Sequence, residues 1–264
     1  MPLKQLSKLI KKAAQKELLP RFKQCESSFK KDGSFLTEAD LAVQDYLQNQ
    51  LKILWPEYGF LAEEMSDEVM QEFLNSHSSG FWCLDPIDGT SNFAAGLPYF
   101  SISLALIKNS RVELGLVYDP IRDECFSAQR EEGAWLNNHP LEVSEQQLPL
   151  AKSLAIIDLK RLEPSLRQKL VLEPPYHSQR SLGSVALDWC WLAAERAQVY
   201  LHGRQKIWDY AAGLLIAQEA GCMSMSLDGE PVFQLNLEAR QAIGAVSQTL
   251  FSEWSDYLSD YLPK

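Results

Sequence analysis

Residues 81–93 read Phe81-Trp82-Cys83-Leu84-Asp85-Pro86-Ile87-Asp88-Gly89-Thr90-Ser91-Asn92-Phe93. The four apolar residues at the start predict a buried β-strand, and the polar residues after them predict a turn where side chains converge on a ligand. Pro86 stiffens that turn, and Gly89 lets the backbone approach a bound molecule closely. Asp85 and Asp88 can then face one small volume. Two carboxylates that close repel each other unless a proton or a cation lies between them, and oxygen ligands of this kind suit Mg²⁺.

Length and composition narrow the class of protein. With 264 residues, the chain can bury a large core as one domain or as two closely packed halves. A hydrophobic content of 46% with 23% charged residues is ordinary for a soluble globular protein. The formal net charge of −10 argues against sequence-independent nucleic-acid binding, which relies on Lys and Arg to neutralise phosphates. An acidic protein with an anionic substrate needs a local positive charge, and bound metal ions would supply it.

The cysteines point to a reducing compartment. There are five of them, with no Cys-x-x-Cys pair, which favours reduced thiols over a disulfide framework or a zinc site. No apolar run approaches the length of a membrane span, and nothing near the N-terminus resembles a signal peptide. We therefore expect a cytoplasmic protein without a membrane partner.

The first half of the chain opens with a predicted amphipathic helix over residues 3–19, where apolar residues recur at helical spacing and lysines lie mostly elsewhere. Such a basic helix could touch a membrane surface, but we favour a helix packed against the protein with a solvated lysine face. Two apolar stretches, at 100–107 and 114–118, are separated by a turn at Lys108-Asn109-Ser110. They predict adjacent antiparallel strands.

The second half of the chain predicts alternating strands and helices. We expect strands at 154–157, 199–202 and 242–247, and helices at 160–172, after Gly183-Ser184, from about Tyr210 to Gly221, and at the C-terminus. Pro and Gln residues between Glu145 and Leu150 mark the expected junction between the halves.

Three further motifs place polar residues at the ends of predicted elements. Thr37-Glu38-Ala39-Asp40 opens a helix and resembles a capping box. Ala62-Glu63-Glu64 follows a short predicted strand, where paired glutamates are often solvated surface. Trp208-Asp209-Tyr210-Ala211-Ala212-Gly213 leads into a helix, so Asp209 could be a plain N-cap. His77 has no ligand partners at metal spacing, and we interpret it as a surface residue.

These motifs carry a resemblance to a known family. The segment from Asp85 to Phe93 looks like the first signature of the inositol monophosphatase family of magnesium-dependent, lithium-sensitive phosphatases. The segment from Trp208 to Gly213 looks like its second signature, and the motifs around Glu63 and Asp40 resemble two shorter family motifs. All four occur in family order at family-like spacing and span most of the chain.

The resemblance implies a set of metal ligands. Glu63, Asp85 and the Ile87 carbonyl would hold one Mg²⁺, while Asp85, Asp88 and Asp209 would hold a second. Asp85 would bridge the two ions. This set of four carboxylates and one carbonyl suits two or three hard cations, and the resemblance implies inhibition by Li⁺.

The resemblance also implies the catalytic groups. Glu63 and Thr90, with Asp40 behind Thr90, would orient a water molecule that attacks phosphorus in line without a covalent enzyme intermediate. Backbone N–H groups at Gly89 and Thr90, at the start of a helix, would hold the phosphate. The family places the Lys30-Lys31 segment in a mobile loop over the metals.

The predicted substrate contacts come from three segments. The family places the segment from Gly183 against the alcohol part of the substrate, and in inositol-specific members a glutamate seven residues before the second-signature aspartate binds the sugar hydroxyls. Here that position is His202, and a neutral imidazole offers at most one acceptor. Arg204 or Lys206 could instead favour a more anionic substrate, or these cations could be solvated and His202 merely tolerated. The full predicted set is Asp88, Gly89, Thr90, Gly183, Ser184, Val185 and His202.

The fold implied by the family is α/β (α+β), a layered αβαβα sandwich of the inositol monophosphatase and fructose-1,6-bisphosphatase type, and a homodimer is expected on the same basis. Residues 1–147 would form an N-terminal α+β half with most of the metal ligands. Residues 148–264 would form a C-terminal α/β half that carries Asp209 and substrate-contacting segments.

The expected activity is Mg²⁺-dependent hydrolysis of a small phosphorylated alcohol. Inositol monophosphate is the first candidate, followed by fructose 1,6-bisphosphate and 3′-phosphoadenosine 5′-phosphate. A haloacid dehalogenase-like phosphatase is disfavoured because its two aspartates lie two positions apart, whereas Asp85 and Asp88 lie three apart. The non-enzyme alternative is a regulatory or binding protein that retains the fold, although four crowded acids without metal would destabilise it.

Overall fold

A computed structural model describes residues 3–23, 27–29, 35–76, 80–144 and 148–262. Several predicted features lie outside the described residues, namely Cys25, the Lys30-Lys31 segment, His77 and the 145–147 part of the expected junction. Within the described ranges, no helix is both long enough and apolar enough to cross a membrane.

The helices of the described chain pack mainly against the two larger β-sheets. They are α1 (Leu3–Ala13), α2 (Glu38–Leu54), α3 (Asp67–Ser76), α4 (Thr90–Ala95), α5 (Pro164–Leu172), α6 (Val185–Ala193), α7 (Ile207–Glu219) and α8 (Gln248–Tyr257). Helix α1 continues into a π-helical turn at Ala14–Leu18 and a 3₁₀ turn at Leu19–Arg21. Leu6, Ile10 and Leu18 are buried, which confirms the prediction that the apolar face of this region packs against the protein.

The strands of the described chain form a hairpin and two larger sheets. They are β1 (Ser27–Phe29), β2 (Phe35–Thr37), β3 (Gly59–Ala62), β4 (Phe81–Asp88), β5 (Ser101–Lys108), β6 (Arg111–Asp119), β7 (Glu124–Gln129), β8 (Gly133–Leu136), β9 (His139–Leu141), β10 (Leu154–Asp158), β11 (Ser178–Arg180), β12 (Val199–Gln205), β13 (Met223–Met225) and β14 (Arg240–Ala245).

The larger sheet has seven strands in the order β3-β4-β5-β6-β7-β8-β9. Strands β3 and β4 are parallel, and each later neighbour is antiparallel. The predicted antiparallel pairing of β5 and β6 is confirmed. Asn109 and Ser110 adopt left-handed backbone conformations between them, as tight hairpin turns require.

The smaller sheet has five strands in the order β11-β10-β12-β14-β13. Strands β11, β10 and β12 are parallel, so their carboxyl ends meet at one edge. Strand β14 runs antiparallel to β12, with a register shift between His202 and Gln205. That edge of the sheet therefore collects the residues that follow β10, β11 and β12.

The elements stack as five layers. Helices α1 and α2 pack against one face of the seven-stranded sheet, where the apolar cluster includes Trp82 and Leu84. Helices α6 and α7 lie between the two sheets, on the face that carries Phe81 and Cys83. Helix α8 packs against β12, β13 and β14. This arrangement confirms the predicted layered αβαβα sandwich.

Close packing of α7 depends on small residues. A Cβ atom at Gly115 of β6 would lie 2.6 Å from the Ala212 carbonyl, and a Cβ at Gly213 would lie 2.8 Å from Cβ of Trp189 in α6. The Ala211-Ala212-Gly213 segment therefore lets α7 approach both the sheet and α6. The two sheets fall on either side of the expected junction, but α6 and α7 share one apolar core with the larger sheet, and the division at 147/148 stays a prediction.

Candidate active site

A β-bulge in β4 brings Asp85 and Asp88 to the same side of the sheet. We expected a strand of four apolar residues that gives way to a turn from Asp85 onward, but β4 continues through Asp88. Asp85 pairs with Ser103 and Asp88 with Ser101, so three steps along β4 match two along β5. Because side chains alternate between the faces of a strand, residues three apart would normally point to opposite sides, and the extra residue restores a common side.

Asp85 lies at the centre of a group of acids. Its side chain is buried, and Oδ1 accepts a hydrogen bond from the Ile87 N–H at 3.0 Å. Burial raises the pKa of the Asp85 carboxyl well above its usual range, and the negative charges of Glu63, Asp88 and Asp209 raise it further. The predicted metal ligands are therefore close enough to repel one another.

Glu63 reaches this group through the parallel pairing of β3 and β4. Ala62 pairs with Leu84, and the Glu63 N–H donates to the Leu84 carbonyl at 3.2 Å. Glu63 therefore lies beside Asp85 at the shared carboxyl end of the two strands. Glu64, the next residue, is partly exposed.

Asp209 lies on α7, in the second half of the chain. This helix begins at Ile207, three residues earlier than we expected, so Asp209 lies in its first turn instead of capping it. One Asp209 oxygen accepts from the Lys206 N–H at 2.8 Å. The Ser103 hydroxyl donates to the Trp208 carbonyl at 3.1 Å, and because Ser103 pairs with Asp85, this bond holds the start of α7 beside Asp85.

The pKa of the Asp209 carboxyl is also raised, first by burial and then by the charges of Glu63 and Asp88. The cation of Arg161 acts in the opposite direction. Asp209 thus shares the electrostatic environment of the other acids although more than a hundred residues separate it from β4.

Asp88 binds the segment that precedes α6. Its carboxylate accepts hydrogen bonds from the Ser184 hydroxyl, from the Val185 N–H at 3.1 Å and from the Ala186 N–H at 2.8 Å. Burial raises the pKa of Asp88 to about 6 although these three bonds lower it. Asp88 therefore caps the amino end of α6 from a distant part of the chain.

Gly89 brings the 183–185 segment against the end of β4. Its φ angle of 96° is left-handed, and a Cβ there would lie 3.1 Å from the Gly183 carbonyl. Asn92 also holds the 183–185 segment in this position, because its side-chain amide donates to the Tyr99 carbonyl at 2.7 Å and to the Leu182 carbonyl at 2.8 Å. The structure thus brings Gly183, Ser184 and Val185 to the acids, while their contact with substrate stays a prediction.

Thr90 and Asp40 are neighbours although fifty residues separate them. The Thr90 hydroxyl donates to the Ile87 carbonyl at 2.9 Å and lies 3.5 Å from Oδ1 of Asp40. The other Asp40 oxygen accepts from the N–H and the hydroxyl of Thr37, both at 2.7 Å, which confirms the predicted capping box. Capping therefore uses one Asp40 oxygen and leaves the other facing Thr90.

His202 is buried, and both of its ring nitrogens have protein partners. Nδ1 accepts from the Arg204 N–H at 3.1 Å, and Nε2 lies 3.2 Å from Oδ2 of Asp158. The substrate contact predicted for His202 would have to displace one of these partners. Arg204 is exposed, whereas the Lys206 ammonium donates to the Leu237 carbonyl at 2.6 Å.

The donor set suits a hard divalent cation by its chemistry. It consists of the carboxylates of Glu63, Asp85, Asp88 and Asp209 with the Ile87 carbonyl, and Mg²⁺ prefers such oxygens. The raised carboxyl pKa values show an excess of negative charge that a cation would neutralise. Among the described residues, no three His, Cys, Asp or Glu side chains converge into a finished chelate. The donors fit by type and charge, and hydrogen bonds within the protein hold the Asp85, Asp88 and Asp209 carboxylates and the Ile87 carbonyl.

Sequence reasoning missed residues that assemble the site from a distance. Ser103 binds the start of α7, and Asn92 binds the 182–184 segment. Asp158 contacts both His202 and Arg161. Asn92 lies in the 81–93 segment, where a polar amide after the Gly89 turn is a signal for a structural hydrogen bond. Ser103 carries no local signal, because it looks like any small residue of a buried strand.

A family model with the description "Inositol monophosphatase family" matches residues 3–255. Inositol monophosphatase 1 of Solanum lycopersicum is 38% identical over 193 residues, covering 70% of each chain. The Nus factor SuhB of Pasteurella multocida is 31% identical over 246 residues, covering 90% of this chain and 89% of that protein.

Solved structures show the same likeness. An IMPase from Thermotoga maritima superposes with a TM-score of 0.84 at 28% identity, covering 98% of this chain and 97% of that one. SaIMPase-II with bound inositol monophosphate gives 0.80 at 25% identity, covering 99% and 94%. An IMPase/NADP phosphatase complexed with Mg²⁺ and phosphate gives 0.79 at 25% identity, covering 96% and 95%.

Proposed function

Because the chain belongs to the inositol monophosphatase family and is a phosphatase, we propose that it hydrolyses the phosphate monoester of a small alcohol with the help of Mg²⁺, and that inositol monophosphate is the leading candidate substrate. The observation that carries the proposal is the meeting of acids from β3, β4 and α7 in one buried place. Acids gathered there without a counter-charge oppose folding, so their position calls for a function.

The metal ligands in this proposal are Glu63, Asp85, the Ile87 carbonyl, Asp88 and Asp209, holding two or three ions. When bound, Mg²⁺ neutralises phosphate charge, lowers the pKa of water and stabilises the leaving oxygen. A solved relative complexed with Mg²⁺ and phosphate supports this assignment.

Thr90 and Asp40 form the proton-handling pair of the proposal. The buried Asp40 carboxylate faces the Thr90 hydroxyl, whose single proton points to the Ile87 carbonyl in this structure. When the Ile87 carbonyl is taken up by a metal ion, the hydroxyl would turn its proton to Asp40 and its oxygen would accept a hydrogen bond from the attacking water. The Gly89 and Thr90 backbone would hold the phosphate, and the 183–185 segment would contact the alcohol. Asp88, which binds that segment, would set its distance from the reacting phosphate.

Within the class of small phosphorylated alcohols, we rank the candidate substrates. A solved relative bound to inositol monophosphate supports our choice of inositol monophosphate as the first candidate, and another bound to 2′AMP is the reason to test nucleotide phosphates as alternatives. Fructose 1,6-bisphosphate and 3′-phosphoadenosine 5′-phosphate remain the other candidates. We further propose that the protein is cytoplasmic and forms a homodimer. Light scattering on the purified chain would test the dimer, and fractionation of cells would test the location.

A substrate panel with Mg²⁺, repeated with added Li⁺, tests the proposed activity. Asp88→Asn should lower kcat/KM by at least about a hundredfold, because it removes a charged ligand from the site. Asp45→Asn, the same change on the exposed side of α2, should leave the rate unchanged. Full activity in Asp88→Asn would remove the metal assignment.

A regulatory role is a second candidate, because one relative carries the name Nus factor SuhB. Titration calorimetry separates the two roles before any substrate is known. Mg²⁺ binding that is lost in Asp88→Asn supports the enzyme. An absence of Mg²⁺ binding to the unaltered chain would favour a protein that acts through contacts alone.

A further inference from the structure

Three arginines gather at the carboxyl edge of the five-stranded sheet. Arg180 ends β11, Arg161 lies three residues beyond β10, and Arg204 is the residue before the last of β12. These strands are parallel, so their ends lie side by side, and Asp209 follows in the first turn of α7. Ligands of α/β sheets bind at such an edge. The edge of the sheet that leads to Asp209 therefore carries three arginines in a protein of net negative charge.

Arg161 is held in place by the partly buried Asp158. Its Nε atom lies 3.3 Å from Oδ2 of Asp158, and the same oxygen lies 3.2 Å from Nε2 of His202. Because Nδ1 of His202 accepts from the Arg204 N–H, the ring proton is on Nε2 and is donated to Asp158. Asp158 and His202 also pair in register across β10 and β12. His202 therefore orients the Asp158 carboxylate, which in turn orients Arg161.

The backbone of Arg161 is equally constrained. A Cβ atom at Gly203 would lie 2.1 Å from the Arg161 carbonyl, so the turn after β10 rests directly on β12. This contact falls where the pairing of β12 with β14 shifts register. Gly203 thus lets the Arg161 turn approach the strand that leads to Asp209.

The outer end of Arg161 is available for a ligand. Its side chain is 49% exposed, and within the described part of the chain its two terminal nitrogens donate no hydrogen bond. By contrast, Nη1 of Arg180 donates to Ser178 and Gln179. The turn that carries Arg161 packs on Gly203 of β12, the strand that leads into α7 and Asp209. Arg161 is therefore oriented by protein contacts yet can still form a bidentate bond.

We propose that Arg161 is a specificity-determining residue whose guanidinium binds a second anionic group on the alcohol part of the substrate. The preferred substrates are then phosphate monoesters whose alcohol carries a further phosphate or carboxylate. The proposal rests on the phosphatase function proposed above. Its physical reason is that the bound metal ions are taken up by the acids and the reacting phosphate, so a second anion needs a cation of its own, and Arg161 is oriented beside the site with an exposed side chain.

Equilibrium binding tests the role of Arg161 without turnover. The probes are two matched pairs, fructose 1-phosphate with fructose 1,6-bisphosphate and inositol 1-phosphate with inositol 1,4-bisphosphate, titrated into the full chain with Ca²⁺ present. The unaltered protein should bind each bisphosphate at least roughly tenfold more tightly, since one charge-assisted hydrogen bond contributes about that factor. Arg161→Gln should remove the preference, and Arg161→Lys should retain part of it.

Lys160→Gln is the matched control, because it removes the same charge from the exposed neighbouring residue and should keep the preference. Equal affinity for both members of each pair in the unaltered protein, failure of either bisphosphate to bind it, or a preference that survives Arg161→Gln would overturn the proposal. Circular dichroism confirms that the variants fold.

Asp158 and His202 are positioning residues in this scheme. Asp158→Asn should raise KM for bisphosphates with kcat unchanged and leave both constants for inositol 1-phosphate unaltered. A parallel assay of inositol 1-phosphate hydrolysis with Mg²⁺ separates the two proposals. If hydrolysis is absent while the Arg161-dependent preference is present, only the phosphatase assignment fails. If hydrolysis occurs without that preference, only the role of Arg161 fails.

Discussion

The Asp88 carboxylate accepts a hydrogen bond from the Ser184 hydroxyl, which joins the end of β4 to the start of α6. Ninety-six positions separate the two residues, and both are buried. The contact unites a predicted metal ligand with the segment predicted to hold the alcohol. A change at one of them should therefore affect the other.

Ser184→Ala should destabilise the protein by about 1–3 kcal/mol, because it leaves a buried carboxylate without one of its donors. It should also raise the pKa of Asp88 further, since the Ser184 hydroxyl lowers it. Urea unfolding in EDTA measures the stability. Ser91→Ala, at an exposed position, is the control, and equal midpoints for the two variants would contradict the prediction.

Asp188→Asn should gain stability relative to the unaltered protein as pH rises. Burial raises the pKa of the Asp188 carboxyl well above its usual range, and the Tyr99 hydroxyl donates to it at 2.9 Å. The folded state therefore binds this proton more tightly than the unfolded state does. The contribution of Asp188 to stability is greatest below the unfolded pKa and declines as pH rises toward the folded pKa.

The difference in unfolding free energy between Asp188→Asn and the unaltered protein should grow with pH by up to about 1.4 kcal/mol per unit above pH 4. Urea unfolding at pH 4.5, 6 and 7.5 measures it. A difference that stays constant would show that Asp188 ionises normally in the folded protein, and one that shrinks with rising pH would show that folding lowers its pKa; either would contradict the prediction.

Thr90→Val should lower kcat by roughly a hundredfold or more, because it removes the hydroxyl that faces Asp40 while keeping the size of the side chain. Thr90→Ser restores the hydroxyl and should keep most of the rate. Steady-state kinetics on inositol 1-phosphate provides the measurement. Combining Thr90→Val with Asp40→Asn should add little further loss, because the two residues act as a unit. Fully additive losses would mean that they act independently.

Gly89→Ala should destabilise the fold by about 2–4 kcal/mol, since it combines left-handed backbone strain with crowding against the Gly183 and Tyr99 carbonyls. Gly96→Ala is the matched control. Its φ of 74° imposes similar strain, but its nearest neighbours are atoms of the flexible Lys23 side chain. Thermal unfolding should show the larger loss for Gly89→Ala. Equal losses would assign the whole effect to backbone strain.

Much of the fold could be predicted because its signals are local. The buried start of β4 was recognisable from its apolar run, the amino end of α2 from its capping box, and the β5–β6 hairpin from two apolar stretches and a turn. Short strands such as β11 and β13 were missed, because three residues carry too little periodicity to identify them.

The sequence by itself determined which acids belong together, because four motifs occur in the order and spacing of one family, whose model spans residues 3–255. Only the tertiary structure decided how those acids meet. The bulge that turns Asp85 and Asp88 to one side, and the Ser103 bond that brings Asp209 to them, depend on the register between strands and on packing between distant segments. Such relationships leave no mark in the order of residues along the chain, because the atoms that form them become neighbours only after the chain has folded.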